Sequence, residues 1–330
     1  MHLHTSQNRI LNPNDAPTAP GFRQMFAKNK LTLGLFFPLA AYANDTPNLE
    51  GQAELAAQAD QGGFSALWSR DVPLQDPEFG DLGQVIDPFV WMGYMANHVQ
   101  RATLASGSLI LPLRHPIHVA KAAASMDNLT NGRFVMGVAS GDRAVEFPAF
   151  GQEHATRDRT FREAYNYIEQ LLTRSYPLIQ SELGTMSGGN LVPKPAYGRV
   201  PIGVTGSCRQ TLEWNAKHAD FWLTHPRGLN TTAQVLHQWR TAVQAAGFAY
   251  EKPVAQSLYI DLSDDPKRPP AQIHLGYRMG RESLLNLLNA YQEIGINHVA
   301  FILKFSQRPV KEVIQELTEE VVPLYPTHSL

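Results

Sequence analysis

Eight short β-rich runs, each stopping at a turn and followed by a segment with helical spacing, constrain this chain more than any other feature. They are Leu31 to Phe37, Ser65 to Trp68, Ala102 to Leu111, Arg133 to Ala139, Val200 to Thr205, Asp220 to Thr224, Val254 to Leu262 and His298 to Lys304. Several are apolar on both alternating sets of positions, as a parallel strand covered on both faces requires. The clearest helical segments place apolar residues at i, i+3, i+4 and i+7: Phe161, Ala164, Tyr165 and Ile168 in one, and Leu284, Leu287, Leu288 and Tyr291 in another. A last helix, with Val310, Val313, Ile314, Leu317 and Val321, follows the eighth strand. Strict β-then-α order predicts a parallel sheet, and eight units in 330 residues suit a closed (β/α)8 TIM barrel better than an open sheet. We expect one barrel domain with loop insertions over residues 31–330, preceded by a flexible N-terminal arm over 1–30.

Charge and cysteine content narrow the function classes. With 28 basic against 30 acidic residues and no like-charge block, a nucleic-acid surface would have no basic excess to draw on. Cys208 is the single cysteine, so no intramolecular disulfide or cysteine metal cluster forms, which fits a reducing, cytoplasmic setting. No run approaches the ~20 apolar residues of a membrane span, and Met1 to Pro20 lacks the apolar core of a secretory signal. No GxGxxG follows a strand, and neither GxxxxGK[ST] nor GxSxG occurs, so dinucleotide, P-loop and hydrolase readings lack their signatures. His115 and His118 lie three apart at a helix start without a third ligand nearby, so no metal site is expected.

Two long stretches break the alternation: Asp71 to Pro88 after the second strand, and Gln180 to Tyr197 before the fifth, whose glycines and prolines suggest a short hairpin or lid. Loops after strands build the active sites of such barrels. The fifth strand runs through Thr205-Gly206-Ser207-Cys208-Arg209-Gln210-Thr211 into a helix with its body at Leu212 to His218. First-turn amides, two hydroxyls and an arginine there make a pocket for a phosphate, although Ser207 acting as a simple N-cap would look the same. In the third strand Ser106-Gly107-Ser108 puts small residues inside a β run, where a ligand can approach the backbone. The fourth ends Ala139-Ser140-Gly141-Asp142, again small and polar. Phe36, at the end of the first, either walls an apolar pocket or plugs the barrel; we count it with the cofactor-binding set. Arg70, Arg143 and His154 fall in or beside strand-end loops and are the candidates for contacting substrate.

These residues resemble the bacterial luciferase-like flavin monooxygenase family from about Leu31 to Tyr325. The most specific stretch is LASGSLILPLRHPIHVAKAAASMDNLTNGRFVMGVASGD, Leu104 to Asp142, and FGQEHATRDRTFREA, Phe150 to Ala164, matches a region with an arginine and a later glutamate, here Arg157 and Glu163. The resemblance implies a barrel, usually dimeric, that binds reduced FMN and activates oxygen on a small organic substrate. By position it implies Gly107 and Ser108 around a cis peptide under the flavin ring, and Gly206, Ser207, Cys208 and Thr211 around the phosphate. Ser140 stands where luciferases carry an arginine, and Ser69-Arg70-Asp71 where they carry Glu-His, so light-emitting aldehyde oxidation is not implied. Three readings follow: an FMN monooxygenase supplied with reduced flavin by a separate reductase, an F420-dependent oxidoreductase, or a flavin-binding protein without turnover.

Overall fold

The computed structural model describes residues 15–39, 49–79 and 86–328. In chain order it contains α1 (Pro20–Met25), β1 (Thr32–Phe36), α2 (Gln52–Gln61), β2 (Ala66–Ser69), α3 (Pro88–Met95), β3 (Thr103–Ile110), α4 (Pro116–Leu129) and β4 (Phe134–Ala139). It continues with α5 (Glu146–Ala149), α6 (Arg157–Thr173), the hairpin β5 (Ile179–Ser181) and β6 (Gly184–Met186), β7 (Ile202–Thr205), α7 (Leu212–His218), β8 (Phe221–Thr224) and α8 (Leu229–Ala245). Last come β9 (Val254–Leu262), β10 (Ala271–Ile273), β11 (Gly276–Met279), α9 (Arg281–Ile294), β12 (His298–Ile302) and α10 (Val310–Glu320).

Strands β1, β2, β3, β4, β7, β8, β9 and β12 pair in that order, all parallel, and β12 pairs back onto β1, closing the barrel. Each expected strand is one of these. The apolar stripes of α6, α9 and α10 bury most of the residues that marked them, Phe161, Leu284 and Val313 among them, in the layer between helices and sheet, with Leu287 and Val310 partly buried at its edge. Inside the barrel a separate cluster holds Phe36, Trp68, Val135, Phe221 and Leu223.

The N-terminal arm differs from expectation. Residues 1–14 lie outside the described residues, but Pro20–Met25 is a helix, begun by a proline in its first turn, and its Phe22 and Met25 join Phe26 in the barrel-interior cluster. The apolar spacing of Phe22, Met25 and Phe26 is what holds it: these side chains close the N-terminal end of the barrel instead of facing water. A second unanticipated element is the β10–β11 hairpin, in which β11 adds to the sheet parallel to the C-terminal half of β9. Its strands are only three and four residues long and largely unburied, with Gln272 and Arg278 interrupting the apolar residues, so they lack the apolar run that marks a core strand.

Gln180 to Tyr197 does contain a hairpin, β5–β6. It packs along α6, where Ser181 donates to Glu163 (2.9 Å) and Glu182 pairs with Arg159. Glu163 is therefore an anchor for the hairpin.

Candidate active site

Five strand ends converge at the C-terminal mouth. In the middle of β3 the register against β4 shifts between Ser106 and Leu109, and the Gly107-Ser108 peptide there is cis, at the position the family resemblance implied. A Cβ on Gly107 would lie 2.9 Å from the Phe36 ring and 3.0 Å from the Trp68 indole, so a side chain is excluded and the backbone rests directly on these two stacked rings. Gly137 of β4 faces the same bulge, with the Ser106 carbonyl oxygen 2.2 Å from where its Cβ would be. Of the two roles the sequence left open for Phe36, the structure shows the plug: its ring is buried in the barrel-interior cluster and lies against Gly107. The Ser108 hydroxyl contacts that of Thr205, joining β3 to the end of β7.

Beyond Thr205 the chain makes a turn in which Gly206, Cys208 and Arg209 have φ of 60°, 48° and 54°. Gly206 supplies the first without steric cost. Four successive carbonyls of this turn are taken by donors of the protein. Thr205 O accepts from the Cys208 thiol, Gly206 O from Trp222 Nε1 (2.7 Å), Ser207 O from Asn215 Nδ2 (3.0 Å) and Cys208 O from Gln210 Nε2 (3.2 Å). The N-cap of α7 is Thr211, which accepts from Trp214 N; Ser207, the capping residue suggested by the sequence, instead accepts from Arg209 N. Cys208 turns its thiol inward toward the Val138 and Thr205 carbonyls, and burial pushes it up to about 12, so only its backbone is available to a ligand.

Gln210 ties this turn to α6, accepting from Arg162 (2.6 and 3.0 Å) and donating to Asp158 O. The first turn of α6 therefore delivers Arg157 beside the turn. Arg157 is 9% exposed; it donates from one Nη to His154 O (2.7 Å), and its buried Nε has no partner among the described residues. Nor has the buried Nε2 of His154. Burial lowers the pKa of His154, and the charges of Arg157 and Arg209 lower it further against the opposing Asp142; burial and Arg209 do the same to Arg157. Two guanidiniums and an imidazole thus crowd one spot, next to a backbone turn whose oxygens are already occupied. Ser140, at the end of β4, is buried and lacks the charge an arginine would bring there.

The other candidates lie in the loops after β2 and β4, where Phe147, next to Glu146, packs on the His154 ring (centroids 4.8 Å apart). Arg143 is buried with its guanidinium 4.4 Å over the Phe79 ring, and Glu146, fully buried, accepts from Leu74 N (3.3 Å). The loop after β2, more than the hairpin, reaches across to β4. Arg70 is half-buried one residue past β2. Asp71 beside it is held by Arg114 through both oxygens (2.7 Å each) and by Ile110 N, and Arg114 also binds Asp87 (2.6 Å). Asp71 therefore anchors the loop. Sequence reasoning passed over Trp68, Thr205, Glu146 and the Asp71–Arg114 pair. Thr205 carried a signal, as the hydroxyl residue directly before the glycine turn.

His115 caps α4 through Nδ1, and among the described residues no three His, Cys, Asp or Glu side chains gather as a metal site. No helix among them is long and apolar enough to cross a membrane. A hollow of about 440 Å³ lies at the other end of the barrel, beside Phe26, Lys28, Arg240 and Asn297. Three of its polar lining residues are engaged: Lys28 with Glu251 (3.1 Å), Arg240 with the Ile294 and Gly295 carbonyls, and Asn297 with Val254 N and Ala27 O.

A family model described as luciferase-like monooxygenase matches residues 31–277. The chain belongs to this family. Among curated proteins, 4-hydroxyprotoasukamycin monooxygenase of Streptomyces nodosus subsp. asukaensis is 26% identical over 227 residues, 66% of this chain and 59% of that protein. The chain spans about half to three fifths of the length of the first curated relatives it matches. Two solved structures share the fold. One is an F420-dependent secondary alcohol dehydrogenase in complex with an F420-acetone adduct (TM-score 0.74, 18% identity, covering 89% of this chain and 98% of that one). The other is the oxygenating constituent of 3,6-diketocamphane monooxygenase from Pseudomonas putida in complex with FMN (TM-score 0.73, 14% identity, 91% and 100%). Family and fold thus agree with the (β/α)8 barrel and the luciferase-like resemblance read from the sequence.

Proposed function

We propose that this luciferase-like protein is an FMN-dependent monooxygenase that takes reduced flavin from a separate reductase and oxidises a small organic substrate with O2. The observation carrying this reading is the cationic spot at the mouth, where the buried Nε of Arg157 and Nε2 of His154 have no partner among the described residues and Arg209 adds a second guanidinium. A buried donor without an acceptor costs roughly 1–3 kcal/mol, so a site that keeps the Arg157 Nε–H beside an unpartnered imidazole nitrogen of His154 is suited to an acceptor brought from outside. A doubly charged phosphate is such a group. Gly206, Ser207, the Cys208 backbone and Thr211 would hold it with Arg157 and Arg209, which replace the charge missing at Ser140. Gly107 and Ser108, resting on Phe36 and Trp68, would take the flat ring.

Reduced flavin, when bound, supplies the electrons that activate O2. The chain's own contribution is to fix the ring on a rigid aromatic floor and to limit water at the mouth. The loop after β2 serves the second task, since Glu146 and Arg143 hold it from the β4 side. Arg70, Arg143 and His154 remain the proposed contacts to substrate, with His154 also reaching the phosphate.

We also assign a homodimer. Val90 and Tyr94 on α3 and Ile117 and Leu129 on α4 are exposed apolar side chains on two neighbouring helices, a surface suited to a second copy.

Anaerobic titration with reduced FMN and with reduced F420, followed by mixing with O2, tests the reading. Tight FMN binding with flavin-dependent O2 uptake is expected. Preference for F420 without O2 uptake would replace it with hydride transfer, and flavin binding without turnover on any substrate would favour a carrier.

A further inference from the structure

The barrel interior contains a hydrogen-bond chain that ends beneath the proposed flavin floor. Trp68 Nε1 donates to His298 Nε2 (3.0 Å). An indole nitrogen can only donate, so this imidazole nitrogen carries no proton. At the other ring nitrogen, Nδ1 meets Thr32 Oγ1 at 2.8 Å and Ser65 Oγ at 3.4 Å. Both hydroxyls give their hydrogens to backbone carbonyls, Thr32 to Met25 O (2.7 Å) and Ser65 to Leu33 O (3.0 Å), and so present lone pairs to Nδ1. The proton must sit on Nδ1, and every donor in the chain points the same way, from Trp68 down to the C-terminal end of α1. Trp68, His298, Thr32 and Ser65 are all fully or almost fully buried. Burial, reinforced by the charge of His328, pushes His298 down to about 3, so it stays neutral and its tautomer stays fixed. Gly34 makes room for the ring: a Cβ there would lie 2.7 Å from Nε2.

We propose that His298 is a positioning residue of the cofactor pocket, orienting the Trp68 indole so that Gly107 and Ser108 are held at the level the flavin ring requires. The proposal rests on the flavin reading above. His298 touches no ligand; it acts through Trp68, whose six-membered ring sits under Gly107 beside Phe36. The N-terminal plug is part of the same device, since Met25 O receives the last hydrogen bond.

The test compares His298→Leu, which keeps bulk and removes the acceptor, with His298→Gln, which keeps an acceptor for the indole and a donor for Thr32. Reduced-FMN affinity, the melting temperature and the ¹⁵N spectrum of Trp68 and His298 are measured together. Expected is an affinity loss of about tenfold in His298→Leu that His298→Gln largely restores, the size of one buried hydrogen bond. A lower melting temperature in both variants with flavin affinity unchanged would reduce His298 to a purely structural residue and overturn the proposal. Should His298→Leu fail to fold, the wild-type spectrum still decides. A neutral Nδ1–H tautomer constant from about pH 5 to 9 supports the chain, whereas an Nε2–H signal or a titration in that range overturns it. Wild-type protein that shows the fixed tautomer but binds neither FMN nor F420 would overturn the flavin reading, and with it the role assigned to the chain.

Discussion

Asp60 and Glu146 are both buried carboxylates, one at each end of the barrel, and they are treated oppositely. At the N-terminal end Asp60 accepts three backbone hydrogen bonds, from Gln100, Arg101 and Ala102 (2.6 to 2.9 Å), and fastens α2 to the start of β3. At the mouth Glu146 accepts one, from Leu74 N, and its Oε2 has none; burial raises its pKa despite Arg143 nearby. Gln24 and Asp220 follow the pattern of Asp60, tying Arg101 O and Ile202 N into the closed end. Arg157 and His154 follow that of Glu146. Among these residues, those at the closed end hold the fold, and those at the mouth leave part of their hydrogen-bonding capacity without a partner among the described residues.

Substitutions at the two ends should separate along this line. The largest effect is expected from Asp60→Ala, which leaves a buried carboxylate's three backbone donors, one of them buried, without their acceptor; urea unfolding should show a loss of about 3–5 kcal/mol, while the protein that remains folded binds flavin as before. Next, Arg157→Met should weaken reduced-FMN binding about a hundredfold and shift unfolding by less than about 1 kcal/mol, because burial and Arg209 disfavour its charge in the free protein more than Asp142 and Asp158 favour it. A stability loss comparable to that of Asp60→Ala would erase the contrast. Asp127 sharpens it from the other side, as a closed-end carboxylate with only one acceptor engaged, to Ala196 N (2.7 Å), and Oδ1 without a partner. Burial pushes its pKa up to about 6. A raised carboxyl pKa gives stability that is complete below about pH 4 and lost as pH rises through about 6, so Asp127→Asn should gain on the wild type by roughly 2 kcal/mol between pH 4 and 8. A gap independent of pH would contradict that. The smallest effect is on His154, whose NMR titration should move upward when FMN is bound, since an anion beside the ring favours its charged form.

Much of the architecture was legible because parallel strands buried on both faces are continuous apolar runs and each ended at a visible turn. What escaped was local or long-range. The α1 plug is held by three apolar side chains in a polar, proline-rich context, and the short β10–β11 hairpin buries only Met279 fully in the core. At the site, Gly107, Ser108 and the Gly206 turn could be read from small residues at strand ends. The inward thiol of Cys208, the capping role of Thr211 and the Asp71–Arg114 anchor depend on neighbours 3 to 70 residues away that no spacing reveals. The cationic spot combines residues from the β4–α6 and β7–α7 loops, and only the closed barrel brings them together.

The most direct measurement is the affinity of the wild-type protein for reduced FMN against reduced riboflavin, which has the same ring without the phosphate. If the unpartnered groups of Arg157 and His154 are kept for an anion, FMN should bind at least about a hundredfold more tightly, and Arg157→Met should close most of that gap. Equal affinity for the two flavins would contradict the account.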